Sequence, residues 1–291
     1  MSFNFKIENF NQTITSKNNH LIKRFRSFKD KLPTKEKDFF CIEGTHLLDE
    51  LLKSGIHPRE IIATEEWLLK NNGLTQKIEK TVINKVSKEA LKSAVSTKTP
   101  DGVAALVEKS SIKKVIVKEK DDFILVLDRV QDPGNLGNLF RIALAAGVNK
   151  ILLGGGANPL SQKVLRSSCG SIFHLPYSRF EGTEEIVIDD LLIALKDYSK
   201  KGFQIVLTSG KSSNLEKPLK PYWELDWTLP TVLILGNEGG GIHYKIKEAF
   251  FEIITIPHNE LVESLNVACV AVPLLLERKR VALSLFPEIK K

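Results

Sequence analysis

The sequence is poor in the features that mark several protein classes. Of its 291 residues three are cysteine, Cys41, Cys169 and Cys269, and they lie far apart. An odd, scattered set with no C-x-x-C pair and no Cys/His cluster supplies neither a disulfide framework nor a metal site, and reads as reduced thiols. No apolar run reaches the roughly 20 residues that a bilayer-spanning helix needs; the most apolar stretch, near 264–276, is too short. The first 20 residues are polar, so no signal peptide is expected and a cytoplasmic location is. There is no internal repeat and no low-complexity segment. A dinucleotide fingerprint is also missing. Gly134-x-x-Gly137 is not G-x-G-x-x-G, and the next strand, Ile151–Leu153, ends in Gly154-Gly-Gly-Ala-Asn-Pro, which offers no acid to a ribose.

What is present is an ordinary globular composition, 42% hydrophobic and 26% charged, with length for about two domains. The net charge of +7 is uneven. Residues 1–120 hold 23 Lys and Arg against 15 Asp and Glu, whereas the remainder holds 19 against 20. A positive first part suits a polyanionic partner.

Strands and helices alternate along the whole chain, which predicts parallel sheets. The first part reads as a basic helix Ser16–Leu32 carrying Lys23, Arg24, Arg26 and Lys31. A strand Phe39–Glu43 follows, then a helix His46–Ser54 capped by Thr45, a strand Glu60–Ala63 and a helix Glu65–Asn71. A strand Thr81–Val86, a helix Lys88–Val95 capped by Ser87, and a strand Val103–Val107 complete it. The charged stretch Glu108–Asp122 is a candidate linker. The second part opens with an apolar strand, Phe123–Val130, then a loop Gln131–Gly137 and a helix Asn138–Ala146. Ile151–Leu153, Ile172–Leu175, Phe203–Thr208, Thr231–Leu235 and Phe251–Ile256 read as further strands. Ser161–Cys169, a long helix capped by Thr183 and ended by Gly202, and a last helix beginning near Ser264 are the remaining helices. Pro273 should kink or restart that last helix.

Three segments place polar and small residues at the C-terminal ends of predicted strands, where open parallel sheets bind ligands. In Asp128–Arg141 the Pro133-Gly134 turn leads to Asn135 in the loop and Arg141 on the first turn of the helix, a combination suited to a phosphate. In Leu235–Ile242 a lone carboxylate, Glu238, precedes three glycines that let backbone groups meet a ligand. In Ile256–Val267, Ser264 is a natural N-cap and Asn266 is a polar residue at the head of an apolar helix. Each alone also reads as an ordinary turn or cap.

Together the three segments resemble the SpoU/TrmH family of RNA ribose methyltransferases, within the SPOUT superfamily. Asn135, Gly137 and Arg141 match its Asn-x-Gly-x-x-x-Arg motif. Gly236, Asn237, Glu238, Gly239 and Gly241 match Gly-Asn-Glu-Gly-x-Gly, and Ile256, Pro257 and Glu263 to Val267 match the third motif. Lys163–Gly170 is similar to a further segment. Phe40–Gly44 and Lys88–Ala105 resemble the substrate-binding domain fused to ribosomal-RNA members. His258 and Asn259-Glu260 depart from the pattern near the cofactor loop, and Cys169 replaces a smaller residue.

The resemblance implies an α/β fold: a C-terminal parallel sheet tied in a deep trefoil knot, plus a smaller N-terminal α/β domain. The expected division is 1–110 for substrate binding, 111–122 for the linker and 123–291 for the methyltransferase. It implies transfer of a methyl group from S-adenosyl-L-methionine to a ribose 2′-hydroxyl, most readily of ribosomal RNA, by a homodimer with neither metal nor membrane. It places Arg141, Asn135, Glu238, Ser264 and Asn266 in catalysis, and Thr208, Gly236, Ile256 and Leu265 against the cofactor. Arg141 is either the base or, since a guanidinium is essentially always protonated, an electrostatic group. Lys23, Arg24 and Arg26 are candidate RNA contacts. A transfer-RNA methyltransferase and a catalytically silent RNA-binding protein are the alternatives.

Overall fold

The structure, a computed structural model, describes residues 12–29, 36–78, 81–112, 122–210, 219–259 and 261–285. The end of the expected helix Ser16–Leu32 with Lys31, most of the expected linker, and Glu260 lie outside those residues. The chain divides into two compact units, residues 1–115 with 160–174 and residues 116–159 with 175–291.

The first unit contains α1 (His20–Arg26), β1 (Phe39–Glu43), α2 (Thr45–Lys53), β2 (Glu60–Ala63), α3 (Glu65–Lys70), α4 (Asn72–Thr75), β3 (Val82–Lys85), α5 (Lys88–Ala94), β4 (Val103–Glu108) and α6 (Lys109–Ile112). Its sheet has the order β1-β4-β2-β3. β2 and β3 are parallel, but β4 inserts antiparallel between β1 and β2. The wholly parallel sheet expected from strand–helix alternation is therefore corrected here, because the last strand returns into the middle of the sheet. Leu21, Ile22 and Phe25 of α1 pack with Ala90, Leu91 and Ala94 of α5 in the core. α1 is shorter than expected: the Asn19 side chain accepts from Leu21 N and starts the helix at His20. Ser87 caps α5 as expected, accepting from Ala90 N. Thr45 does not cap α2. It is the first residue of that helix, and its hydroxyl accepts instead from the Trp67 indole at 2.7 Å.

The stretch Leu160–His174 groups with this unit, unlike the division expected at residues 110–123. It carries α8 (Gln162–Ser168) and a 3-10 turn Ser171–Phe173, where a strand Ile172–Leu175 was expected. Polar contacts hold it: Gln162 Nε2 donates to the Cys41 carbonyl at 2.8 Å, Arg166 donates to Ser96 Oγ at 2.6 Å, and His174 Nε2 lies 2.9 Å from Glu50.

The second unit contains β5 (Phe123–Asp128), α7 (Pro133–Ala146), β6 (Lys150–Gly154), β7 (Tyr177–Arg179), α9 (Glu184–Lys200), β8 (Gln204–Thr208), β9 (Lys220–Pro221), β10 (Thr231–Leu235), α10 (Tyr244–Ala249), β11 (Glu252–Thr255) and α11 (Val267–Leu285). Its sheet has the order β7-β6-β5-β10-β8-β11-β9, and every pairing is parallel. β5 and β10 are buried at every residue, which is why they read as continuous apolar runs. Ile124, Val126, Ile205, Leu207, Val232 and Ile234 meet Ile188, Leu191 and Leu195 of α9 on one face. α7 and α11 pack against one another. The two edge strands are short, and β9 consists of a lysine and a proline.

Two expectations about helices are corrected in this unit. α7 begins at Pro133, not Asn138, so Asn135 is its third residue and Arg141 its ninth. α11 begins at Val267 and runs unbroken through Pro273. Among the described residues no helix is long and apolar enough to cross a membrane.

Candidate active site

The loops after β5, β8, β10 and β11 leave the same, C-terminal end of neighbouring parallel strands. Those after β8, β10 and β11 enclose a cleft of about 530 Å³, within the range of small-molecule sites. Thr208, Gly236, Ile256 and Leu265, the four residues expected at a cofactor, all line it, together with Glu238, His258 and Ser264.

The Gly236–Ile242 loop closes on itself. Asn237 and Gly241 exchange backbone hydrogen bonds at 3.1 and 3.0 Å, and the Asn237 side-chain oxygen accepts from the Gly239 and Gly240 N–H groups. A Cβ at Gly236 would stand 2.4 Å from backbone atoms of Gly241 and Ile242, so only glycine fits there. The backbone of Gly240 stays open, with nothing within 4 Å of where a Cβ would be.

Glu238 projects from this loop to the start of α7. Its carboxylate accepts from the Gln131 and Asp132 N–H groups at 3.2 and 3.4 Å and from Asn135 Nδ2 at 3.0 Å. Asn135 in turn accepts, through Oδ1, from Asn266 Nδ2 at 3.0 Å. One residue from each of the three motifs is thus joined in a single chain of hydrogen bonds. Partial burial pushes the Glu238 carboxyl up, but the bonds from Asn135 and the backbone outweigh it and hold the group below its ordinary value. The N-terminus of α7 favours the negative charge as well.

The ends of the helices explain this placement. Asp132 accepts from Asn135 N at 2.8 Å and Pro133 takes the first helical position, so α7 is started one turn and more before the expected point. Asn266 Oδ1 accepts from Ala268 N and Cys269 N, and so caps α11 in place of Ser264. Asn266 therefore bonds both to its own helix and to Asn135.

Arg141 lies six residues beyond Asn135, about 9 Å further along the helix axis, on the exposed side of α7. It is not on the first turn, and the expected pairing of its guanidinium with the helix N-terminus is corrected accordingly. Ser264 is exposed at the wall of the cleft. Of the expected RNA contacts, Lys23 is exposed. Arg24 forms ion pairs with Glu36 and Glu60 at 2.8 and 2.7 Å and lies over the Phe39 ring. Arg26 donates to the Ser93 and Lys17 carbonyls and to Ser93 Oγ.

A second layer went unremarked in the sequence. Asp128, wholly buried, accepts from His243 N at 2.7 Å and pairs with Arg129 at 2.9 Å. Arg129 has a positive φ of 57° and pairs also with Glu184 at 2.6 Å. Its carbonyl accepts from Asn237 Nδ2. The one available signal was a carboxylate closing an otherwise apolar strand. Among the described residues no group of three His, Cys, Asp or Glu side chains could hold a metal ion.

Residues 122–276 match the model of the SpoU rRNA Methylase family, and residues 19–105 match that of an MRM3-like substrate binding domain. An uncharacterized tRNA/rRNA methyltransferase of Synechocystis sp. is 33% identical, over 92% of this chain and 93% of its own length. The 23S rRNA (guanosine(2553)-2′-O)-methyltransferase RlmP of Bacillus subtilis is 31% identical, over 89% and 95%. The crystal structure of an AdoMet-bound rRNA methyltransferase from Sinorhizobium meliloti superposes with a TM-score of 0.75 at 26% identity, covering 93% of this chain and 98% of that one. The three linked motifs and these likenesses agree: the chain belongs to the SpoU rRNA methylase family.

Proposed function

We propose that this chain transfers a methyl group from S-adenosyl-L-methionine to a ribose 2′-hydroxyl of ribosomal RNA. The observation that carries the reading is the hydrogen-bonded set Glu238–Asn135–Asn266 beside a glycine-walled cleft. The cleft suits the cofactor. It combines open backbone at Gly240 with the apolar side chains of Ile256, Leu265 and Leu274, as a nucleoside carrying an amino-acid tail requires. Thr208, Gly236, Ile256 and Leu265 would hold it. Its sulfonium renders the methyl group electrophilic.

The residues of the chain then have to orient the ribose and ease loss of its proton. Asn135 and Asn266 are neutral, fixed amides that position the hydroxyl, and Glu238 locks Asn135. Ser264 at the cleft wall supplies a further hydroxyl to the ribose. Arg141 acts as a cation that grips the neighbouring phosphate and favours the ionised hydroxyl. RNA alone offers the 2′-hydroxyl.

The trefoil knot belongs to this reading. Its support is the strand order β10-β8-β11, with the loops after all three gathered round one cleft. So does the homodimer, supported by the exposed stripe Cys269, Val272 and Leu276 on α11 and by the exposed Leu261 and Val262 of the loop that precedes it. Lys23 is the exposed cation of α1 for RNA, and a cytoplasmic location accords with a ribosomal substrate.

The test is methyl transfer from labelled S-adenosylmethionine to total ribosomal and transfer RNA, mapped by resistance to alkaline cleavage. One resistant position in ribosomal RNA is expected. Transfer to transfer RNA alone would reassign the substrate. Cofactor binding with no transfer to either would leave a silent binding protein.

A further inference from the structure

The first unit holds a second cleft, of about 430 Å³, that the reading above does not use. Its floor is fixed. A Cβ at Gly102, where φ is +119°, would stand 2.7 Å from Trp67 Cβ and 2.9 Å from Thr64 Oγ1, so the Pro100–Gly102 backbone is held tight against α3. The Trp67 indole donates to Thr45 Oγ1 at 2.7 Å, and Asp101 accepts from Thr45 N at 2.8 Å.

The rim is cationic. Lys70 comes from α3, Lys88 and Lys92 from α5, and Lys98 from the loop that follows. Glu66 pairs with both Lys70 and Lys88, at 2.8 and 2.6 Å, so one carboxylate orders two ammonium groups and neutralises one charge. Asp101 is the other acid of the lining. Lys92 and Lys98 are exposed and have no ion pair among the described residues. A row of lysines along one helix would be a solvated face. Here four lysines from three segments line one concave site with two acids, Glu66 and Asp101, which leaves a net charge of +2 and leaves Lys92 and Lys98 to attract an anion.

We propose that this cleft grips the phosphodiester backbone of the RNA substrate. The inference rests on the RNA reading given above. Ammonium groups meet phosphates as point charges, so the cleft fixes the position of the RNA without reading its bases.

The test uses the full chain with Lys92→Gln and Lys98→Gln together, since both side chains are exposed and leave the Glu66 pairs intact. Binding of deproteinised ribosomal RNA is measured at several salt concentrations, with calorimetry of S-adenosylmethionine binding alongside. Affinity should fall roughly tenfold at low salt, and the slope of log K against log salt should become shallower by about 1 to 2. Cofactor binding should not change, and Lys92→Arg with Lys98→Arg should restore RNA affinity. Equal affinity and slope for the glutamine variant and the unsubstituted protein would overturn the proposal, as would absence of RNA binding by the unsubstituted protein. Failure of the enzymatic reading is distinct: the unsubstituted protein then binds RNA but methylates none.

Discussion

The side-chain amide of Asn237 donates to the backbone carbonyl of Arg129 at 2.8 Å, across 108 residues of sequence. Arg129 is held at a positive φ to present that carbonyl, a conformation that costs a non-glycine residue of the order of 1–3 kcal/mol and persists only where its surroundings impose it. Here Asp128 and Glu184 hold the guanidinium. Asn237→Ala removes this bond and both bonds to Gly239 and Gly240. It should weaken S-adenosylmethionine binding at least about tenfold, given roughly 1 kcal/mol for each bond lost. Calorimetry checks this; unchanged affinity would show that the loop holds its shape without Asn237.

Asn135 uses its amide in both senses, donating to Glu238 and accepting from Asn266. Asn135→Asp keeps the acceptor but sets a second carboxylate beside Glu238, so it should depress kcat at least as far as Asn135→Ala does. Single-turnover methyl transfer compares the two. A near-normal Asp variant would mean that the bond to Glu238 is dispensable.

Glu238 titrates below its ordinary value in the folded protein, so it contributes stability above the unfolded value, near 4.5, and loses it as pH falls through the folded value. The difference in thermal midpoint between the unsubstituted protein and Glu238→Gln should therefore be constant from about pH 6 to 8 and shrink in acid. A difference that grows on acidification would reverse the assignment.

Arg141→Ala should fold normally, since the residue is exposed, and bind S-adenosylmethionine as before. Its methyl transfer should fall by about 100-fold or more, the usual scale for removing one group that stabilises developing charge. Wild-type turnover would remove Arg141 from the chemistry.

Within α1 the three cations should separate by readout. Arg24→Gln strips two carboxylates of their partner and Arg26→Gln strips two carbonyls, so both should lower thermal stability by about 1–3 kcal/mol. Lys23→Gln should leave stability unchanged and weaken RNA binding alone. Thermal melts of all three, read beside RNA titrations, decide this.

The sequence disclosed the parallel sheet of the second unit because β5 and β10 are buried on both faces and hence apolar throughout. Glycines and lone polar residues at strand ends disclosed the loops round the cleft. Helix starts were less legible. Proline at position 133 favours a first helical turn as readily as a β-turn, and the Asp132 side chain decides between them. Ser264 and Asn266 are both good caps, and the bonds from Ala268 N and Cys269 N to Asn266 Oδ1 decide between them. The antiparallel insertion of β4 leaves no local trace, since strand direction is set by pairing and not by side-chain pattern. The basic residues of α1 showed their charge but not their partners, and Glu36 and Glu60 turn Arg24 into a clamp.

The seven-stranded sheet ends in β7, of three residues, and β9, of two, a lysine and a proline. A proline cannot donate to a neighbouring strand, and a lysine keeps its ammonium group in water. The sheet is thereby closed to growth by strand addition at that margin. Backbone templating past β9, the route by which sheets of neighbouring molecules join and aggregate, is thus denied to this protein.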